Sequence, residues 1–71
     1  MTRVRDEAVD VLVTLVRATE RAWLVRDSEG TEAWLARSLC EFPPERDCRP
    51  GAAVTVTAPA WLVEDKGLEA S

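Results

Sequence analysis

The 71-residue sequence contains no histidine and only three glycines, which stand far apart at positions 30, 51 and 67. Without histidine, a serine or cysteine nucleophile lacks its usual general base, and a zinc site would need carboxylates in place of imidazole ligands. The scattered glycines match neither a phosphate-binding loop nor a dinucleotide fingerprint. The sequence therefore predicts no catalytic residue, no metal and no cofactor, and it favours binding of another macromolecule over catalysis.

Long apolar runs are also missing. No stretch approaches the ~20 residues that cross a bilayer, and Met1 is not followed by the basic segment and hydrophobic stretch of a secretory signal. We therefore expect a soluble, cytoplasmic protein that does not bind membranes. In a reducing cytoplasm Cys40 and Cys48 should be free thiols, although a disulfide between them would close the intervening loop in oxidising conditions.

The size and composition of the chain predict one folded domain. A hydrophobic fraction of 46% with three tryptophans is high enough for a globular core, and we expect a single domain over residues 1–71 with fraying at 1–7 and 69–71. A chain this short buries only roughly 60% of the surface that its unfolded form exposes. A homodimer would add buried surface, so self-association is a physical possibility.

Alternating apolar residues predict strands along most of the chain. The run from Val9 to Val16 is rich in β-branched residues, which favours a strand; a helix is the alternative, because Val9, Leu12, Val13 and Val16 would share one helical face. Residues 21–26 and 31–37 flank a compact turn at 27–30 and predict a hairpin in which Trp23 and Trp34 lie near one another.

The second half of the chain predicts shorter elements. Residues 38–42 form a possible further strand that Pro43 and Pro44 would end, and residues 52–58 alternate valine with threonine as a strand does. Pro59 then opens a short helix that Gly67 ends, with Trp61 and Leu62 against the sheet. The predicted fold class is mainly β, at the α+β boundary: a small antiparallel meander of about five strands, SH3-like or otherwise curled, with a short C-terminal helix.

The charge distribution is acidic and uneven. The chain carries 13 acidic and nine basic residues, a net charge of −4. Through Arg26 there are five basic and four acidic residues, whereas nine acidic and four basic residues follow. Such a balance disfavours direct binding of nucleic acid or anionic membranes.

Six carboxylates of this second part are the predicted partner-binding residues, because a convergent acidic surface would imitate the phosphates of nucleic acid. They are Asp27, Glu29, Glu32, Glu41, Glu45 and Asp47. The alternative is a solvated acidic surface that serves solubility alone. The interleaved Arg37, Arg46 and Arg49 weaken the imitation.

Three segments resemble a family of short phage and prophage accessory proteins. They are residues 15–22 (LVRATERA), 34–38 (WLARS) and 59–68 (PAWLVEDKGL). The family reads approximately as a strand hairpin, a Trp-Leu-Pro-Lys-Ser element and a closing Pro-x-Trp-Leu-x-x-x-Lys-Gly-Leu; this chain has Ala36 and Arg37 in place of the proline and lysine. The resemblance implies a phage or mobile-element accessory protein, of a functional class in which anti-CRISPR inhibitors are the best-known members, and it carries no catalytic residue over to this chain.

These observations lead to three functional hypotheses. The first is an inhibitor of a host defence complex, either a monomer or a homodimer, that docks its acidic surface on a basic nucleic-acid-binding protein such as a CRISPR effector subunit. The second is a module that binds single-stranded nucleic acid through Trp23 and Trp34 with Arg21, Arg26 and Arg37. The third is a structural phage component that joins an assembly through an exposed edge strand.

Overall fold

A computed structural model describes residues 7–68. It contains strands β1 (Ala8–Ala18), β2 (Ala22–Arg26), β3 (Glu32–Ala36) and β4 (Ala53–Pro59), a 3₁₀ turn at Glu45–Asp47, and helix α1 (Ala60–Lys66). The predicted class, mainly β with a short C-terminal helix, is confirmed. The predicted fraying at 1–7 and 69–71 lies outside the described residues except at Glu7, whose carbonyl accepts a hydrogen bond from the Ala60 N–H at 2.7 Å.

The first β-branched run is a strand, as predicted, and not a helix. β1 alternates along its length, with Val11, Val13 and Leu15 buried. Its N-terminal half pairs with β4 and its C-terminal end pairs with β2. The register shifts between Leu15 and Arg17, where the extra residue is a β-bulge that bends the strand.

The four strands form one open antiparallel sheet in the order β3-β2-β1-β4. The first three follow one another as a meander, but β4 lies beside β1 and not beside β3, which is the Greek-key arrangement. Residues 37–52 make the return from one edge of the sheet to the other. Within this segment the predicted fifth strand contributes only an isolated bridge between Glu41 and Thr57, so the sheet has four strands among residues 7–68.

The β2–β3 hairpin forms where it was predicted, but its two tryptophans lie on opposite faces of the sheet. Trp23 is opposite Leu35, and Trp34 is opposite Leu24. Because side chains alternate between faces, neighbouring positions on paired strands cannot share a face. Trp23 is 4% exposed in the core, whereas Trp34 is 42% exposed on the other side. The expectation that the two rings are neighbours was therefore wrong.

The core lies between one face of the sheet and the segments that cross it. Cys40, Phe42 and Cys48 of the return segment pack against the buried strand residues, and α1 adds Leu62 and Val63, while Trp61 is half-buried. Gly67 ends α1 in the left-handed conformation, with φ at 71°, which glycine adopts without strain. Within residues 7–68, no helix is long and apolar enough to cross a membrane.

Candidate functional site

The face of the sheet opposite the core is open to solvent, and it carries both apolar and charged side chains. One cross-strand row consists of Arg17, Leu24 and Trp34, and the next contains Thr14, Arg26 and Glu32. Leu12, on the same face, is 55% exposed. Trp34 is 42% exposed, and tryptophan is enriched among the residues that contribute most of the binding energy at protein interfaces.

Two of the six predicted acidic residues are engaged within the β2–β3 hairpin. Asp27 is 6% exposed, and its Oδ1 accepts hydrogen bonds from the N–H groups of Glu29 and Thr31 at 2.9 and 2.8 Å. Glu32 forms an ion pair with Arg26, with 2.6 Å between Oε2 and Nη2. Asp27 is therefore a turn-forming residue, and its assignment to an exposed partner-binding surface was wrong.

Three other predicted carboxylates lie in the return segment, on residues 41–47, which we call the acidic loop. The side chains of Glu41, Glu45 and Asp47 are all exposed. Among residues 7–68, none of the three forms an ion pair. Arg46 lies between Glu45 and Asp47, so three negative charges and one positive charge leave the loop with a net charge of −2. Its charge is available to a partner, unlike that of Glu32.

The six carboxylates do not converge on one surface. Asp27 lies beside Leu12 and Ala53, at the turn end of the hairpin, whereas Glu45 shares a cleft with Trp23. The positions of Trp23 and Asp27 in the chain differ by four residues, which is about 13 Å along an extended strand. The predicted single acidic surface is thus divided between the β2–β3 hairpin, which carries the exposed Glu29 and the ion-paired Glu32, and the acidic loop elsewhere.

The nucleic-acid-binding hypothesis loses one of its two stacking residues. Trp23 is buried, and the Arg37 guanidinium lies over its ring at 5.5 Å from the centroid. Arg37 also donates a hydrogen bond to the Thr19 carbonyl at 3.1 Å. Arg26 is neutralised by its ion pair with Glu32. Trp34 therefore remains as the stacking candidate, and two of the three proposed arginines already have partners.

An open cleft of about 460 Å³ lies between the end of the hairpin and the return segment. Its lining combines the Arg37 and Trp23 pair with both thiols and with Glu45 of the acidic loop. The lining residues are Ala18, Trp23, Arg37, Cys40, Phe42, Pro43, Glu45 and Cys48. Sequence reasoning did not anticipate this cleft, because it forms only when the return segment crosses the core face.

Both cysteines of the cleft are free thiols, as the sequence predicted. Burial raises the pKa of Cys40. Burial also raises the pKa of Cys48, where the nearby Arg37 charge lowers it and the Asp47 and Glu45 carboxylates raise it. The Cys48 thiol lies 3.4 Å from the Pro43 carbonyl, to which it donates. Both thiols are therefore protonated at neutral pH, which is the form that packs and does not attack electrophiles.

Comparison of the chain with protein-family models, with curated proteins and with solved structures found no match.

Proposed function

We propose that this protein is a non-enzymatic binding domain whose acidic loop docks on a basic surface of a nucleic-acid-binding protein, as an inhibitor of a host defence complex would. The observation that carries the proposal is the exposure of Glu41, Glu45 and Asp47 within seven residues, without an ion pair among residues 7–68. Free surface carboxylates attract a basic partner over distance and accelerate association. The resemblance to phage accessory proteins supports an effector of the CRISPR type as that partner.

The position of the acidic loop favours this role over a purely solubilising one. The loop is anchored to β4 at Glu41, whose N–H donates to the Thr57 carbonyl at 2.7 Å and whose carbonyl accepts from the Thr57 N–H at 3.0 Å. Within the loop, the Cys48 N–H donates to the Glu45 carbonyl at 3.0 Å and closes the 3₁₀ turn. Anchored carboxylates lose less conformational entropy on binding than freely moving ones. A loop with an ordered backbone is therefore better suited to binding a fixed basic surface than a flexible acidic tail.

Binding to purified CRISPR effector complexes, measured by biolayer interferometry at two salt concentrations, tests the proposal. The loop variant carries Glu41→Lys, Glu45→Lys and Asp47→Lys. We expect it to bind more weakly by on the order of tenfold or more, and we expect the wild-type association rate to fall as salt rises.

A matched control carries Glu7→Lys, Glu20→Lys and Asp65→Lys, which are also exposed and give the same net charge as the loop variant. The control should retain most of the wild-type affinity if the position of the charge matters. Equal loss in both variants would show that net charge alone drives binding. Failure of the wild-type protein to bind any effector complex would reject the inhibitor proposal.

A further inference from the structure

The outer edge of β3 carries backbone groups that have no partner strand among residues 7–68. The Asp27 N–H donates to the Thr31 carbonyl at 2.9 Å, and the Arg37 N–H donates to the Arg21 carbonyl at 2.8 Å. Because hydrogen-bonded and non-hydrogen-bonded pairs alternate along an antiparallel ladder, the N–H and C=O groups of the even-numbered residues point away from β2. These residues are Glu32, Trp34 and Ala36.

This edge has two of the features that limit strand addition, a short length and one charged residue, and lacks the others. Proteins protect edge strands with prolines, lysines, bulges or a covering segment. β3 reads Glu-Ala-Trp-Leu-Ala and pairs with β2 in unbroken register. The Ala36 carbonyl accepts from the Leu39 N–H at 3.1 Å, and this turn contact lies at the C-terminal end of the strand. Within residues 7–68, no segment pairs with the centre of the edge at Trp34.

We propose that β3 pairs with β3 of a second copy of this chain, antiparallel and about a two-fold axis at Trp34. This register pairs the outward-facing residues of β3 only with one another, Glu32 with Ala36 of the second copy and Trp34 with Trp34. A register centred on Ala33 would instead pair Ala36 with Gly30, which lies in the turn with φ at 88°. The product is a continuous eight-stranded sheet.

The charges at the two ends of β3 complement one another in this arrangement. Exposed Glu29 precedes the strand. Arg37 follows it; its guanidinium contacts the Trp23 ring and the Thr19 carbonyl but has no carboxylate partner among residues 7–68. Antiparallel pairing therefore brings the acidic end of one copy near the basic end of the other. Parallel pairing would place like charges together. Glu32, the one charged residue within β3, is already paired with Arg26. Two copies with a net charge of −4 each therefore meet along an edge with little repulsion.

The exposed Trp34 supplies the apolar contact at the axis. Residues directly opposite in an antiparallel pair have Cβ atoms about 5 Å apart, so the two indoles would contact each other on the open face. Paired aromatic side chains on adjacent strands are among the more stabilising cross-strand pairs. The second copy is therefore held both by backbone hydrogen bonds and by burial of Trp34.

Sedimentation equilibrium and amide hydrogen exchange of the full chain test this proposal together. We expect a concentration-dependent dimer in which the Glu32 and Trp34 amides become protected as the dimer forms. The amides of Ala33 and Leu35 point to β2 and should be protected at every concentration, which gives an internal control within the same strand. Trp34→Lys should weaken dimerisation about 30-fold, whereas Leu12→Lys on the open face should not.

A mixing experiment isolates the two-fold axis. Trp34→Lys and Trp34→Glu proteins should each be monomeric, because like charges meet at the axis, and their equimolar mixture should form a heterodimer. A wild-type protein that is monomeric at millimolar concentration overturns the proposal. This outcome counts against the proposal even if the Trp34 amide is protected from hydrogen exchange within the monomer. A dimer without protection of Glu32 and Trp34 also overturns it. The wild-type exchange data decide the matter if the lysine variant does not fold.

Discussion

The two edge strands of this sheet are protected very differently. The outer edge of β4 is bridged by Glu41, with hydrogen bonds of 2.7 and 3.0 Å to the backbone of Thr57, and the strand ends at Pro59. In the part of the chain that the structure describes, no segment bridges the edge of β3; this strand has no proline and displays the exposed Trp34. The Greek-key connection explains the contrast: the segment that leaves β3 must reach β4, so it covers the edge where it arrives and leaves bare the edge that it departs from.

The largest expected effect comes from shortening a buried side chain of β3, the strand with the exposed edge. Leu35 in β3 is fully buried, and Leu35→Ala should lower the free energy of unfolding by about 3 kcal/mol, through lost burial and the cavity left behind. Val56→Ala, the matching change in β4, removes fewer carbons and should cost about 2 kcal/mol. Urea denaturation measures both, and a larger loss for Val56→Ala would contradict the assignment of equal burial to the two edges.

The turn that holds β3 in register should be nearly as sensitive. Asp27→Ala removes the acceptor for two backbone N–H groups and should lower the free energy of unfolding by about 2 kcal/mol. Asp27→Asn retains an acceptor oxygen and should cost less. Chemical denaturation of both variants checks this, and similar losses for alanine and asparagine would show that the hydrogen bonds are not the reason for the burial of Asp27.

Removing the cover of the β4 edge should have a smaller effect. Glu41→Pro deletes the N–H that donates to the Thr57 carbonyl and should lower the free energy of unfolding by about 1 kcal/mol. It should also speed exchange of the Thr57 amide, which donates to the Glu41 carbonyl. Glu41→Ala keeps the N–H and is the control. An unchanged exchange rate in the proline variant would mean that the bridge does not protect this edge.

The smallest expected effect is the pH dependence of stability that arises from Cys40 and Cys48 in the return segment, which connects β3 to β4. Both thiols have a raised pKa in the native state, so the native state keeps their protons to higher pH than the unfolded state does. The contribution of the two thiols to the free energy of unfolding should be constant at pH values below the thiol pKa of the unfolded state. It should fall as the pH rises through that pKa towards the higher thiol pKa of the native state. Urea titrations across alkaline pH measure this slope. A Cys40→Ser, Cys48→Ser protein should show less of it, and an identical slope would place its origin elsewhere.

The sequence predicts the local elements because their signals are local. Alternation identifies β1 and β4, and the glycine in the left-handed conformation at position 67 marks the end of α1. The Greek-key order is not predictable in this way, because no residue near Pro43 specifies which edge the chain will reach. Partner choice for a strand depends on burial across the whole domain.

The candidate site was harder to predict, for two physical reasons. Whether Trp23 and Trp34 lie on the same face of the sheet depends on the pairing register of β2 and β3, because a shift by one residue moves a side chain to the other face. The five residues between the two strands set this register through the hydrogen bonds of Asp27. Charge counting likewise treats every carboxylate as exposed, although an aspartate before a turn is suited to accept backbone N–H groups. The Asp-Ser-Glu-Gly turn sequence was the available signal for the burial of Asp27.

The division of β1 between two partner strands has a consequence for synthesis of the chain. Val11 pairs with Val56, 45 positions later, so the N-terminal half of β1 waits without its neighbour until β4 has left the ribosome. The β1–β2 and β2–β3 hairpins are local and can form earlier. A nascent chain therefore carries the valine-rich half of β1 without its partner strand until β4 has been synthesised, and the rate at which β4 then pairs with β1 sets how long this strand is vulnerable to misassembly.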